Sequence, residues 1–263
     1  MSDILSDCAK RWNLRQLTPL FRRPEKAVYS AESPELGAVI LKIDSDRQQL
    51  YKEHEMLIRM GAPESCRVWD YCPEDGCMLL ERILPGTPLR AVSCPTQRVQ
   101  AFCAVFDRIH TPADAGKTYL DWLDGICQSC ETLPAAAPFR EDAQKARTIC
   151  REMFEKYPQW FWLHGDLHHD NLLLRTDGSY AAIDPKGIIG PAILEIPRFL
   201  LNEPASDVAE TLSLLSAALG YPESDLQKLL YMETVLANVW CIEDGIAPIF
   251  PLTRTQNIQG ATF

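Results

Sequence analysis

One short segment constrains the fold of this chain more than any other: HGDLHHDNLLL at residues 164–174, followed by AIDPKG at 182–187. A polar loop lies between two apolar runs, and the turn-forming sequence TDGS connects the second run to YAAID. Apolar runs separated by a Gly-containing turn predict a β-hairpin. Because a tight hairpin brings the loop and the end of the return strand together, we expect Asp166, Asn171 and Asp184 to converge at its mouth.

Two carboxylates and an amide at one point form a set of groups that phosphoryl transfer requires. Mg²⁺ prefers oxygen ligands and usually takes only one or two protein carboxylates; here Asp184 and the amide oxygen of Asn171 would be the ligands. Asp166, outside the metal set, can orient an attacking hydroxyl and accept its proton. The D-x-x-x-x-N spacing before a strand-end aspartate is the pattern of protein-kinase catalytic loops, here with Asp-Pro-Lys in place of Asp-Phe-Gly.

A lysine that holds phosphates is expected on an apolar strand upstream of the loop, and AVILKI offers Lys42 in that setting. The alternative is that Lys42 is a solvated lysine on an edge strand. A lysine that holds phosphates needs an acidic partner. The helix predicted at residues 46–60 places Glu53 about 60° from Leu50, within an apolar face, and Glu55 about 140° away. Since a glutamate on a buried face usually has a cation to meet, we predict that Glu53 pairs with Lys42. The apolar face is formed by Leu50, Leu57, Ile58 and Met60.

The strand predicted from CMLLERI continues directly into LPGTP at residues 84–88, which has the composition of a linker. In a kinase layout this junction is the hinge, where backbone groups from Glu81 to Ile83 bond the adenine edge of the nucleotide. We therefore predict an N-terminal nucleotide-binding lobe with the hinge at residues 1–83. A C-terminal catalytic and substrate-binding lobe is predicted at residues 84–263.

The pattern is β-rich in the first third of the chain and mostly helical after it, apart from the hairpin. Two strands joined by SPELG are predicted within residues 25–43. This arrangement predicts an α+β, bilobal fold with a small β-rich N-terminal lobe and a larger, mainly helical C-terminal lobe. The helices predicted after the hinge lie near residues 95–110, 116–131, 139–157, 206–219 and 223–244.

These motifs resemble the aminoglycoside and hydroxyurea phosphotransferases, the group that contains the streptomycin phosphotransferases. The resemblance extends from the Lys42 strand through LLERILPGTPL, Ile109–His110, HGDLHHDN and DPKG to VWCIEDG near the C-terminus. It implies a protein-kinase-like fold with ATP and Mg²⁺ as cofactors. By this resemblance Asp166 is the catalytic base and Lys42 holds the α- and β-phosphates. Asn171 and Asp184 would hold the Mg²⁺.

The expected function is that of an ATP-dependent O-phosphotransferase, a kinase of the antibiotic-resistance type. It would move the γ-phosphoryl group of a nucleoside triphosphate to a hydroxyl of a small, cationic, aminoglycoside-like molecule. The alternative, from a different class, is a catalytically silent kinase-like protein that binds a nucleotide or another ligand. The joint presence of the lysine, the amide and both aspartates argues against the silent protein.

The acceptor is expected to bind in the helical lobe, because the nucleotide occupies the first lobe and the hinge. The helices there carry many acids, and a cleft lined by one sign of charge concentrates the opposite sign. Glu243 and Asp244 are the best candidates, since the resemblance places VWCIEDG near the substrate; their alternative role is to cap a helix end. The acids of these helices are Glu195, Asp207, Glu210, Glu233, Glu243 and Asp244.

Three features depart from the resembled family or leave a choice open. The first hairpin, around RRPEKAVYS, lacks the G-x-G-x-x-G loop of protein kinases, and the antibiotic kinases also have few glycines there. Glu195 stands where many family members have an aspartate. Lys186, two residues after Asp184, either contacts a phosphate or is solvated.

Histidines and cysteines suggest two other chemistries. His164, His168 and His169 flank the loop aspartate, and such a cluster suits Zn²⁺ or Fe in a hydrolase. That function would leave the lysine and amide pattern without a role, so His164 is expected to brace the loop instead. Cys127 and Cys130 have C-x-x-C spacing, which suits metal or redox chemistry, but they lie in a helical pattern that also explains them as packing residues.

Charge and hydropathy disfavour other classes of partner. The formal net charge is −10 and no basic run occurs, whereas a nucleic-acid backbone needs clustered Lys and Arg. The apolar runs are far shorter than the roughly 18–20 residues of a membrane span. The N-terminal MSDILSDCAKRW has two aspartates and lacks the apolar core of a secretory signal, so a cytoplasmic location is expected.

Overall fold

The computed structural model describes residues 2–252, which pack into two compact units. Unit 1 contains the chain up to Leu89 together with Asn171–Gly187. Unit 2 contains Arg90–Asp170 together with the chain from Ile188 onward. The lobe boundary placed at the hinge stays a prediction.

Unit 1 is built on five antiparallel strands: β1 Arg15–Arg22, β2 Lys26–Ser33, β3 Gly37–Asp44, β4 Val68–Cys72 and β5 Cys77–Glu81. Their order in the sheet is β1-β2-β3-β5-β4. Side chains alternate between the two faces of a strand, so Val39, Leu41 and Ile43 of β3 share one buried face. Lys42 therefore points to the opposite face.

Two elements at the start of unit 1 were not predicted from the sequence. One is β1, whose residues are nearly all exposed, so no apolar alternation marks it. The other is α1, Ser2–Arg11, which buries Cys8 against the core of the five-stranded sheet. Both elements are stabilised by contacts with the rest of the sheet, which a short-range sequence pattern cannot predict.

The helix predicted after β3 is α2, Arg47–Met60. Asp46 caps its N-terminus, because the Asp46 side chain accepts a hydrogen bond from the backbone N–H of Gln49 over 2.9 Å. The prediction that Ile58 lies on the apolar face was wrong, because Ile58 is 57% exposed. The buried arc is centred near Glu53, about 140° around the helix from Ile58. Its buried residues are Leu50, Glu53, Met56, Leu57 and Met60.

The predicted hairpin forms part of a second sheet in unit 1. Its strands are β6 Pro85–Pro88, β9 Leu172–Arg175 and β10 Tyr180–Ala182, in the order β10-β9-β6. The segment expected to be a linker is thus the short strand β6, paired with β9. Prolines at both of its ends remove backbone donors, which a strand tolerates only at a sheet edge, so its composition suggested a linker.

Unit 2 is mainly helical and contains a small sheet in the order β11-β8-β7, with β7 Thr111–Pro112, β8 Phe161–Leu163 and β11 Ile188–Gly190. Five of its helices were predicted to within a few residues, whereas the six-residue α6 was not. Among residues 2–252, none of the helices combines the length and apolarity that crossing a bilayer requires. The helices are α3 Pro95–Ile109, α4 Tyr119–Thr132, α5 Arg140–Lys156, α6 Ile196–Leu201, α7 Val208–Leu219 and α8 Glu223–Glu243.

Gly187, the last residue of DPKG, is required by both its backbone conformation and its packing within unit 1. Its φ of +69° lies in the left-handed region, which L side chains rarely adopt. A Cβ at this position would lie 2.6 Å from Cγ of Met56 on α2. Met56 follows Glu53 by one helical turn, so the absence of a side chain at Gly187 lets the DPKG turn approach the helix that carries Glu53.

We expect Gly187→Ala to lower the free energy of unfolding by about 2–5 kcal/mol, because left-handed strain of about 1–2 kcal/mol adds to overpacking against Met56. Gly178→Ala is the matched control. Gly178 also has a positive φ, +87°, but a Cβ there meets nothing within 4 Å. Urea unfolding of both variants measures the difference, and equal losses would show that the contact with Met56 has no energetic weight.

Candidate active site

Lys42 is buried between two carboxylates in unit 1. Its Nζ donates a hydrogen bond to Glu53 of α2 and lies 2.5 Å from Oδ1 of Asp184. Lys42 and Glu53 are only 4% and 3% exposed. The predicted ion pair is therefore present in the structure. Glu55, the alternative partner, instead lies 3.6 Å from Arg59 on the same helix.

Asp184 has three lysines around it. Besides Lys42, Nζ of Lys186 lies 3.4 Å from Oδ2, and Nζ of Lys26 lies 3.8 Å from Oδ1. Burial by itself would raise the pKa of Asp184, but the lysines outweigh it and hold that pKa well below its usual range. Burial would also lower the pKa of Lys42, but Glu53 and Asp184 outweigh it and raise that pKa. Lys42 and Asp184 are therefore charged at neutral pH.

Lys26 is a site residue that the sequence reasoning missed. It begins β2, two residues before Val28, and both line the same cavity as Lys42 and Ile40 of β3. The alternation of side chains along a strand could have identified Lys26. Val28 pairs directly with Lys42, and Lys26 lies two residues before Val28 on the same face of β2. Burial, followed by repulsion from Lys42, lowers the pKa of Lys26.

These groups line a cavity of about 520 Å³ in unit 1. Asn171 lies on it as well, and its backbone carbonyl accepts a hydrogen bond from Ile183, the neighbour of Asp184, over 3.0 Å. The predicted hairpin thus brings Asn171 and Asp184 to one cavity. Asp184 itself has a φ of +58°, an uncommon value for a residue with a side chain, and backbone conformations of this kind cluster at functional sites. The apolar wall is formed by Val28, Ile40, Leu80, Ile83, Leu173 and Ile183.

The predicted hinge residues Glu81 and Ile83 also line this cavity. The carboxylate of Glu81 is already engaged, because it accepts hydrogen bonds from Arg175 over 2.6 and 3.1 Å and from the backbone N–H of Arg67 over 3.0 Å. Within residues 2–252, the backbone N–H of Ile83 has no hydrogen-bond partner. It is therefore available to a group that enters the cavity.

In unit 2, the loop that carries Asp166 is held by Glu195. The buried Glu195 carboxylate accepts hydrogen bonds from the backbone N–H groups of His164 and Gly165, over 2.6 and 2.9 Å. The backbone N–H of Asp166 in turn donates to Nδ1 of His164 over 3.2 Å. Glu195, whose role the sequence left open, thus braces the turn before the aspartate. His164 braces it too, as expected.

Arg198 of α6 connects Asp166 to a buried network that the sequence did not reveal. Its Nε lies 3.5 Å from Oδ1 of Asp166, and its other end lies 2.6 Å from Oε1 of Glu233 on α8. The hydroxyl of Tyr119 donates to the second oxygen of Glu233 over 2.5 Å, and the Arg198 guanidinium lies 5.3 Å from the ring of Trp240. Burial raises the pKa of Glu233, although Arg198 opposes this shift.

The three loop histidines have separate partners. His169 is buried, contacts Glu203 over 2.9 Å and stacks on Phe199. His168 lies 3.7 Å from Asp166, and burial lowers the pKa of His168 to about 4, so it is neutral at pH 7. Within residues 2–252, these histidines do not belong to any cluster of three or more ligand atoms close enough to share a metal ion. The hydrolase alternative therefore gains no support.

The two residues predicted to contact the acceptor are exposed at the end of α8. Glu243 accepts a hydrogen bond from the hydroxyl of Ser129 over 2.5 Å, and the backbone N–H of Asp244 caps the helix. Their contact with an acceptor stays a prediction. Two of the other acids expected in a cleft, Glu195 and Glu233, were wrongly placed there, because both are fully buried and engaged inside unit 2. Asp207 pairs with Arg98, and its place in a cleft stays a prediction.

This fold, with these groups, is that of a small-molecule kinase. The family model for aminoglycoside/hydroxyurea antibiotic resistance kinases matches residues 11–245, and the chain belongs to that family. The streptomycin 3''-kinase of Klebsiella pneumoniae is 26% identical, over 65% of this chain and 68% of the relative. The streptomycin 6-kinase of Streptomyces griseus is 23% identical, over 94% of this chain and 85% of the relative. The predicted family and enzyme class are confirmed.

A solved structure confirms the predicted fold class. It is a thermostable mutant of the aminoglycoside phosphotransferase APH(4)-Ia, in a ternary complex with AMP-PNP and hygromycin B. The TM-score is 0.75 at 15% identity, and the match covers 100% of both chains. At this identity the likeness concerns the fold alone, which is the α+β, protein-kinase-like fold expected from the sequence.

We expect Arg198→Leu to destabilise the protein by about 3–5 kcal/mol, because it leaves the buried Glu233 carboxylate without its cation. Arg147→Leu is the matched control: Arg147 forms an exposed pair with Asp124, and its loss should cost about 0–1 kcal/mol. Chemical denaturation at pH 7 measures both variants.

The loss in Arg198→Leu should also depend on pH. Burial already raises the pKa of Glu233 in the wild type, and loss of Arg198 raises it further, so the variant loses additional stability only above the wild-type folded pKa. The difference from the wild type should therefore shrink as the pH falls from about 7 to about 5. A difference that stays constant over this range would mean that Glu233 is not the group left unpaired.

Proposed function

We propose that this protein is an ATP-dependent O-phosphotransferase that moves the γ-phosphoryl group to a hydroxyl of a small, cationic, aminoglycoside-like molecule. The observation that carries the proposal is the buried Lys42, held between Glu53 and Asp184 on the wall of a cavity. At about 520 Å³ the cavity lies within the range of roughly 300–1,000 Å³ for small-molecule sites. Family membership supports this choice of reaction.

The nucleotide would occupy this cavity in unit 1. Its apolar wall suits the adenine ring, and the available N–H of Ile83, with the backbone of Glu81, would bond the adenine edge. Lys42 would hold the α- and β-phosphates. Glu53 keeps the lysine charged and in place when the phosphates are absent. The ternary complex of the APH(4)-Ia mutant with AMP-PNP supports nucleotide binding by this fold.

Asn171 and Asp184 would hold Mg²⁺, and both residues fit that role. The lysines keep Asp184 ionised, and the Asn171 side chain offers an amide oxygen on the same cavity. Carboxylate and amide oxygens are ligands that a hard cation prefers. When bound, the ion would neutralise charge on the phosphate oxygens. Lys26 and Lys186, next to the same carboxylate, would then contact phosphate oxygens.

Asp166 would accept the proton of the acceptor hydroxyl. Its neighbour Arg198 orients the carboxylate from one side, and Glu195 fixes the preceding turn through two backbone N–H groups. A general base must be positioned to within hydrogen-bond reach of the proton it abstracts. These two contacts supply rigid support for that position from within unit 2.

The acceptor would be recognised by negative charge. Glu243 and Asp244 are exposed acids at the end of α8, and the chain carries a formal net charge of −10. Relatives named as streptomycin kinases, and a structural neighbour with bound hygromycin B, support an antibiotic of this class as the acceptor. Long-range attraction of this kind weakens with salt, because the screening length is only about 8 Å at about 0.15 M.

We expect Asp166→Asn to reduce kcat by roughly 10²–10⁴ while nucleotide binding is retained, the usual effect of removing a general base. Asp170→Asn is the matched control on the same loop. Its carboxylate forms an exposed bidentate pair with Arg90, so kcat should change by less than about threefold. The measurement is Mg²⁺-dependent phosphorylation of streptomycin and other aminoglycosides. Wild-type protein that binds ATP but phosphorylates none of them would favour the silent binding protein.

The acceptor prediction concerns Glu243→Gln combined with Asp244→Asn. Removal of two negative charges should raise the KM for a cationic acceptor about tenfold or less at low salt, with kcat and the KM for ATP nearly unchanged. The wild-type KM should rise with ionic strength, and the variant should lose most of this dependence. A KM indifferent to both salt and the two substitutions would refute acceptor recognition by these acids.

A further inference from the structure

Two thiols and a carboxylate converge in unit 1, away from the nucleotide cavity, and a third thiol contacts one of them. The ligand atoms of Cys72, Asp75 and Cys77 all lie within 4.8 Å of one another. Sγ of Cys8, on α1, lies 3.1 Å from Sγ of Cys77. The three cysteines are between 0% and 9% exposed, whereas Asp75 is half-buried. None of these four residues lines the cavity that holds Lys42.

The turn between β4 and β5 creates this arrangement. Cys72 ends β4 and Cys77 begins β5, and the two are direct cross-strand partners. The intervening turn contains Gly76, which has a φ of +65° and approaches Asp44 so closely that a Cβ would lie 2.5 Å from its carbonyl oxygen. This tight turn places the Asp75 carboxylate 3.1 Å from Sγ of Cys72.

We propose that Cys8, Cys72, Cys77 and Asp75 form a binding site for a thiolate-seeking divalent cation such as Zn²⁺. Three sulfurs and one oxygen make a four-ligand set of the kind that tetrahedral zinc takes, and C-x₄-C falls within the spacing of structural zinc sites. With Zn–S bonds of about 2.3 Å, adjacent sulfurs of a tetrahedron lie about 3.8 Å apart. The Cys8–Cys77 separation of 3.1 Å is shorter than this value, and the ligand atoms of Cys72, Asp75 and Cys77 lie within 4.8 Å of one another, so side-chain rotations would have to open the first contact and bring Cys8 to the other ligands.

Arg11 supports the charge that such a site would carry. Its guanidinium donates a hydrogen bond to Sγ of Cys72 and lies 2.8 Å from Asp75. Three thiolates, one carboxylate and a divalent ion together carry a charge of −2, and an adjacent cation offsets part of it. Hydrogen bonds from outer groups to metal ligands orient those ligands and tune their affinity. Glu74 is a second nearby acid, 3.7 Å from Sγ of Cys72.

The site would fasten α1 to the turn between β4 and β5. Binding would release the thiol protons to solvent, because the thiolates are the ligands. An ion that binds only the folded state stabilises it according to its concentration and affinity. The competing chemistry is a disulfide between Cys8 and Cys77, formed by an external oxidant such as a peroxide. A disulfide would consume two of the three sulfur ligands and so would exclude the metal.

Zinc loading of the full-length protein tests the proposal without any assay of activity. Reduced protein is incubated with Zn²⁺, desalted, and its zinc content is measured by mass spectrometry. We expect about one equivalent in the wild type and less than about a tenth in Cys72→Ser. Cys130→Ser is the control, since Cys130 is a buried cysteine of α4 in unit 2, and it should retain about one equivalent.

Cobalt provides a second readout, because Co²⁺ bound to thiolates absorbs strongly in the near ultraviolet, and Cys72→Ser should lose that absorption. Cys72 is the least buried of the three cysteines, at 9% exposed, and circular dichroism in EDTA tests whether the variant is folded. Cys8→Ser should weaken zinc affinity by at least about tenfold and so lower the zinc content after desalting. Three results would each overturn the proposal: a reduced wild type without zinc, equal zinc in Cys72→Ser, or a Cys8–Cys77 disulfide that reforms in the presence of zinc.

Discussion

The buried contact of Lys42 with Glu53 and Asp184 is the interaction on which the rest of unit 1 depends. A buried ion costs several kcal/mol in lost hydration, and loss of one partner from such a set typically costs about 3–5 kcal/mol. The three groups come from β3, α2 and the end of the hairpin, so strand face, helix phase and turn must all be correct together. The exposed Ile58 shows this constraint, since α2 is rotated to bury Glu53 next to Lys42 rather than to cover every apolar residue.

Unit 2 also compensates the lost hydration of buried charged groups, with different residues. Its interior holds Arg198 against Glu233, with Tyr119 on the second carboxylate oxygen, and Glu195 on two backbone N–H groups of the loop. Acids that look like substrate-binding groups in a sequence are therefore structural ones here. The net charge of the chain does not report how many acids face a ligand, because the most deeply buried acids have internal partners. Exposed acids such as Glu243 remain for the proposed acceptor.

Sequence reasoning succeeded where a short-range pattern carries the information. The loop spacing, the hairpin turn and the helical periods gave the family, the fold class and most helices, and a helical wheel selected Glu53 over Glu55. It failed where contacts with residues distant in sequence determine whether an element forms or what role a residue has. The strand β6 exists because β9 lies beside it, β1 has no apolar alternation of its own, and Arg198 becomes a network residue only when α8 packs on α6. Lys26 is an intermediate case: the sheet face that it shares with Lys42 could be predicted from the sequence, but its contact with Asp184 could not.

The excess of cations around Asp184 connects the fold to the proposed reaction. Three lysines share one carboxylate, and Lys42 also contacts a second carboxylate, that of Glu53. Burial and the charge of Lys42 lower the pKa of Lys26, whereas Glu53 and Asp184 raise the pKa of Lys42, so the charge of Lys26 is less well compensated than that of Lys42. A polyphosphate that enters the cavity brings negative charge to this point and relieves the repulsion between the lysines. Lys26, at 3.8 Å from the carboxylate, is held less tightly there than Lys42 and can turn toward phosphate without breaking the central ion pair. On this argument, repulsion among the lysines prepares the cavity for an anion, and Glu53 keeps Lys42 in place until it arrives.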